Sequence, residues 1–137
     1  MSEPIIFIAQ QKIKQGKVEE YKMYYQEVAE WMEANKPQTS AHIAYVSEDG
    51  TAVSVVHILP DAEAMEKHMQ GLGDLGMKAF TLMEIVRFDV YRTTSKMVLD
   101  SMLKMIPGAK VNLKPQPASG YIRLYPPQSR RNGSKRQ

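Results

Sequence analysis

The 137-residue chain contains no cysteine. Disulfides, a thiolate nucleophile and a cysteine-ligated metal site are therefore excluded, and a reducing, cytoplasmic compartment is the expectation. Long apolar runs are missing too. The one near the start, Ile5 to Ala9, is too short for a secretory leader or a membrane span, so a protein without a membrane anchor is expected. Histidine is scarce: His42, His57 and His68 are the only three, and no two have the H-x-H or H-x-x-x-H spacing of a zinc motif. The reading is accordingly of no metal.

Charge of one sign is also nearly absent from the body of the chain. The net charge is +3, but residues 126–137 hold Arg130, Arg131, Lys135 and Arg136 with no acid, leaving 14 basic against 15 acidic side chains elsewhere. The basicity belongs to this end, which reads as a flexible, solubilising tail. No basic segment is interleaved with aromatics, so nucleic acid is not the expected partner. The length suits one domain, which would bury about 65–70% of its unfolded surface.

The informative stretch is Thr51 to Met69. Ala52 to Leu59 is apolar on both alternating faces, with Val53, Val55 and Leu59 on one side and Ala52, Val56 and Ile58 on the other. A strand of that kind needs cover on both sides. Pro60 and Asp61 then turn the chain into a helix, with Asp61 as N-cap and an inward stripe of Ala64, Met65, His68, Met69 and Leu72.

The flanking elements follow from period and punctuation. A first strand covers Ile5 to Lys14. A helix from Lys17 to Asn35 buries Val18, Tyr21, Tyr25, Val28 and Met32, flanked by Tyr24 and Trp31. Pro37 stops it, and a second strand, Ser40 to Ser47, is joined through Asp49-Gly50 as a hairpin to the strand beginning at Ala52. The run Gly71 to Gly76 is too glycine-rich to stay helical. Because it follows a helix rather than a strand, it is read as a bend before a short helical piece, Met77 to Met83, and not as a phosphate loop. Glu84 to Arg92 is a fourth strand near an edge, with Val86, Phe88 and Val90 on one face and Arg87, Asp89 and Tyr91 on the other. Ser95 caps a helix over Lys96 to Ile106, and Ala109 to Tyr125 forms two short extended pieces.

The order β-α-β-β-α-β is the ferredoxin-like, α+β arrangement, a four-stranded antiparallel sheet with two helices on one face, here with a C-terminal helix and extension. The expected division is residues 1–94 for this domain, 95–125 for a C-terminal arm packed on it, and 126–137 for the tail. The uncovered face would be a large apolar patch, so a two-fold homodimer through that face is expected, with the C-terminal extension folding over it as the alternative.

Leu59, Pro60, Asp61, Glu63, Ala64, Met65 and His68, set at the passage from strand to helix, resemble the corresponding segment of antibiotic biosynthesis monooxygenase-like domains of the dimeric α+β barrel superfamily. The resemblance spans about residues 4–92. Where that family often places Trp before the cap, this chain has Leu59. The resemblance implies an apolar pocket between helices and sheet, a catalytic role for His68, and pocket positions for Tyr24, Trp31, His57, Met65, Leu72 and Gln10; Gln10 and Gln11 both sit near the Asn of haem-degrading relatives. It implies a monooxygenase-like enzyme acting on a hydrophobic aromatic compound, without a cofactor or with haem. The alternative is a non-catalytic homodimer that binds a small ligand.

Overall fold

A computed structural model describes residues 4–71, 73–92, 95–106, 108, 110–121 and 123. Leu72 and the basic tail lie outside the described residues. The elements are β1 (Ile5–Ile13), α1 (Val18–Asn35), β2 (Ala41–Val46), β3 (Ala52–Leu59), α2 (Ala62–His68), α3 (Asp74–Lys78), a 3-10 turn (Ala79–Thr81), β4 (Met83–Tyr91), α4 (Lys96–Met105) and β5 (Lys110–Lys114). The chain is α+β and ferredoxin-like through β4.

Five strands form one sheet in the order β2-β3-β1-β4-β5. All pairs are antiparallel except β4 with β5, which run parallel from Arg87↔Lys110 to Tyr91↔Lys114. The four-stranded, wholly antiparallel sheet expected from sequence is thus extended, and β4 is an interior strand instead of an edge. Lys110–Lys114 of the C-terminal extension do not fold over the open face; their backbone continues the sheet sideways. α4 follows the same logic, with Val98, Met102 and Ile106 packed into the common core.

The hairpin between β2 and β3 rests on Asp49, whose carboxylate accepts from the Thr51 amide and hydroxyl and from the Ser47 hydroxyl. Gly50 takes a φ of +74°, and a Cβ there would come within 3.3 Å of Val18 Cγ2. The positive φ favours glycine, and a Cβ would also press Val18 outward by a few tenths of an ångström. This hairpin sets the register that brings His42 opposite His57.

β4 departs from simple alternation. Gln10 pairs with Arg87 but Gln11 pairs with Ile85, so Val86 is an extra residue bulged out of the ladder. The bulge reverses which face each side chain takes. Phe88 and Val90 are buried and Val86 is exposed, correcting the expectation that all three share one face. α3 begins at Asp74, inside the glycine-rich run, after Gly73 at φ +63°. α2 is shorter than its periodicity suggested and ends at His68.

Two layers result. Tyr21, Tyr24, Val28 and Met32 of α1, and Ala64 and Met65 of α2, pack on the sheet face that carries Ile5, Phe7, Val53, Val55 and Leu59. The opposite face carries Ile6, Ile8, Val56 and Ile58, only partly buried, beside Ile43 and Tyr45, which are 46% and 60% exposed. α2 depends on its first turn, where the Asp61 carboxylate accepts from the Ala64 amide at 2.9 Å. Replacing Asp61 by Ala should lower the unfolding free energy by about 1 kcal/mol, whereas Asp61→Asn should keep most of it; urea denaturation of both variants checks this.

Candidate functional site

Three elements converge beneath α1. His42 on β2 and His57 on β3 are register partners, and His68 closes α2. Their ring centroids are 4.5 Å (His42 to His57), 4.9 Å (His57 to His68) and 5.5 Å (His42 to His68) apart. One ring nitrogen from each lies within 4.8 Å of the other two.

Aromatic packing fixes the rings. Phe7, opposite His57 in the β1–β3 register, stacks on it at 3.8 Å and 7° and meets His68 edge-on at 5.8 Å. Tyr25 of α1 lies parallel to His42 at 5.4 Å. In all three imidazoles Nδ1 has a partner: the Tyr25 hydroxyl for His42, the Phe7 carbonyl at 3.2 Å for His57, and the Thr39 hydroxyl at 3.1 Å for His68. Since Phe7 O can only accept, His57 carries its proton on Nδ1.

No Asp or Glu among the described residues is hydrogen-bonded to these rings. Burial therefore dominates their titration. Loss of solvation pushes His42 down to about 4, with no carboxylate to oppose it. It pushes His68 down to about 3, helped by His42 and Lys36. For His57, burial and then the two neighbouring rings lower the value well below the ordinary histidine range. All three are neutral at pH 7.

They form one wall of a cavity of about 570 Å³ between helices and sheet. Its other walls are mainly apolar and aromatic, from Tyr21, Tyr24, Val28, Met32, Phe80 and Phe88. Burial raises the Tyr24 phenol to about 12 and pushes Tyr21 and Tyr25 higher still, so none supplies a phenolate. Tyr21 donates to Gln11 Oε1 at 2.7 Å, and Tyr24 donates to Leu75 O at 2.8 Å, tying α1 to the segment at the rim.

Of the residues singled out from sequence, His68, His57 and Tyr24 line the cavity. Trp31, Met65 and Gln10 do not. Met65 is fully buried beneath α2, and Trp31 is partly buried with Lys36 Nζ 5.9 Å from its ring. Gln10 takes the opposite sheet face, donating to Asp89 Oδ2 and accepting from the Ser54 hydroxyl. Strand alternation puts Gln11, not Gln10, at the cavity. Asp89 gathers Arg87, Gln10 and Asn112, and the Arg87 hydrogen bond holds its carboxyl below the usual range. The convergence of all three histidines was not read from sequence. The hairpin register brings His42 to His57, but the approach of α2 over that hairpin has no sequence signature.

The depressed histidines make a pH prediction with a definite sign. The unfolded chain takes up protons near pH 6.5, whereas folded His42 and His68 resist until about 4 and about 3. Stability is complete above pH 6.5 and is lost as pH falls from there toward 4 and below. Of the groups facing the rings, burial keeps the Tyr25 phenol uncharged across this window, and Lys36 acts on His68 by lowering its value. The melting temperature, measured with a chelator present, should fall steeply between pH 6.5 and 4, and His42→Gln should flatten that fall.

No family model matches the chain, and no curated protein matches it. Solved structures do. MupZ from Pseudomonas fluorescens superposes with a TM-score of 0.68 at 19% identity, over 88% of this chain and 95% of that one. SnoaB, a cofactor-independent oxygenase from Streptomyces nogalater, gives 0.57 at 12%, over 70% and 98%. A candidate antibiotic biosynthesis monooxygenase from Bacteroides thetaiotaomicron gives 0.56 at 15%, over 69% and 90%. The MupZ match is longer than residues 4–92 can supply, so it takes in part of the C-terminal addition. No described helix is long and apolar enough to cross a membrane. The chain has the fold of the antibiotic biosynthesis monooxygenase-like proteins.

Proposed function

We propose that the chain is a monooxygenase-like enzyme that takes a hydrophobic aromatic compound into its cavity and uses the neutral histidines, His68 foremost, to remove a proton from it. The observation that supports this most is the set of three uncharged imidazoles on the wall of a mainly apolar and aromatic cavity of about 570 Å³. Burial leaves the lone pair of His68 free but lowers its affinity for a proton, so the transfer draws on the enolate formed beside it, whose negative charge pairs with the new imidazolium in a site without water. With such a compound, the carbanion formed at an activated CH2 can itself reduce O2. Dioxygen adds to that carbon, and loss of water leaves a carbonyl: one CH2 and one O2 give one C=O and one H2O. SnoaB, which shares the fold, is a cofactor-independent oxygenase.

Haem does not suit this wall. Its iron takes one or two axial ligands on opposite sides of the macrocycle, whereas three imidazole nitrogens converge here within 4.8 Å. No step is assigned to it.

The number of imidazoles favours a second reading. Oxygenation through an enolate needs one base, but adjacent neutral rings can give one proton while taking another. That suits a non-oxidative rearrangement or ring opening of an oxygenated apolar compound. Ligand binding without turnover is the third outcome.

The reading includes a homodimer joined through the open sheet face. It is supported by Ile6, Ile8, Val56, Ile58, Ile43 and Tyr45 on one surface, too apolar to stand in water. Sedimentation should give a two-chain species, and Ile8→Glu should dissociate it with far-UV circular dichroism unchanged; a native chain that sediments as a monomer at micromolar concentration overturns this.

Oxygen uptake with a panel of anthrones and hydroquinones, in chelator, separates the activities. His68→Ala should lower turnover by about 100-fold or more while the cavity still binds the compound. Product formed under anaerobic conditions would support the second reading, and tight binding without product the third.

A further inference from the structure

We infer that His42, His57 and His68 form a three-imidazole site for one divalent transition ion of the zinc class, with its open coordination position facing the cavity. The inference does not depend on the proposed reaction, since it concerns binding.

Geometry is the first support. Three atoms no more than 4.8 Å apart share a point within about 2.8 Å of each, that limit being 4.8 Å divided by √3. Zinc–imidazole bonds are about 2.0–2.1 Å, so a movement of under about 1 Å per ring closes the site. The three ligands come from a paired strand position and a helix end, elements tied together by the core.

The outer partners are the second support. A metal-bound histidine donates its other ring N–H to an acceptor. Here Nδ1 of each ring already meets one: the Tyr25 hydroxyl oxygen, the Phe7 carbonyl and the Thr39 hydroxyl oxygen. Ligation through Nε2 would leave all three of these contacts in place.

The donor set selects the ion. Three nitrogens without carboxylates exclude magnesium and calcium, which need oxygen ligands, and suit zinc, cobalt or iron. No carboxylate among the described residues is hydrogen-bonded to the cluster to balance the ion's charge, so the open position would suit an anionic oxygen ligand such as hydroxide.

The full chain, stripped with EDTA and dialysed, is titrated with Co2+ and then with Zn2+. One Co2+ per chain should develop the visible absorption of a four-coordinate nitrogen site, and Zn2+ should abolish it. Zn2+ at a hundred times its Kd should raise the melting temperature by about 10 °C. X-ray absorption of the zinc-loaded chain should show three imidazoles. His42→Ala should weaken binding by at least 10-fold, and Thr39→Ala, which touches no ion, by about 10-fold. No cobalt spectrum and an unchanged melting temperature in the native chain overturn the site, as do oxygen-only ligation or undiminished binding by a folded His42→Ala.

Discussion

A histidine buried without a counter-charge has to be uncharged, and much of this molecule follows from that constraint. Burying one unpaired charge costs several kcal/mol even after relaxation. Three imidazoles within 4.8 Å of one another would multiply that cost by mutual repulsion. The surrounding structure supplies what neutral rings need instead: flat partners and neutral acceptors. Phe7 covers His57, Tyr25 covers His42, and a carbonyl and two hydroxyls meet the Nδ1 atoms. None of these contacts stabilises an imidazolium as a carboxylate would.

The sheet makes this cluster possible. His42 and His57 are cross-strand partners only because the Asp49-Gly50 turn sets the β2–β3 register, and Phe7 reaches His57 only because β1 pairs on the other side of β3. A slip of one residue in either ladder would send these rings to the opposite face. The β4 bulge shows the same sensitivity from the other side. One extra residue, Val86, lets Phe88 contribute to the cavity while Arg87 turns toward Asp89.

Most of the fold was legible because its signals are local. Val53, Val55 and Leu59 alternate along β3, Asp61 caps α2, and a Gly at positive φ ends the hairpin, each within a few residues of what it specifies. The addition of β5 was not legible, since Lys110 to Lys114 is a short, mostly exposed segment whose partner lies some twenty residues back. The bulge was hidden for a related reason: it is a mismatch between two strands, and β4 alone reads as regular. In the site, His57 and His68 could be picked out as inward-facing positions. Gln10 could not be told from Gln11 without the strand's absolute phase, and Trp31 sits beside the buried stripe of α1 rather than in it. The three-histidine cluster escaped because its members are 15 and 11 residues apart on three elements, a spacing that no short motif encodes.

His68 lets two opposing effects be compared. It ends α2, where the partial negative charge of a helix C-terminus favours a protonated ring by at most about 2 kcal/mol. α2 has seven residues, so its field is at the weak end of that range. Desolvation acts in the other direction with several kcal/mol, and Lys36, which donates to Lys67 O at 2.8 Å, adds repulsion. Desolvation wins, and His68 remains a lone-pair donor. On an exposed helix the same ring would exchange its proton near neutrality; here burial keeps its lone pair free and lets it take a proton only where an anion forms beside it, or bind an ion. Which of these it is depends on what shares the cavity with it, because both uses draw on the same pair of electrons.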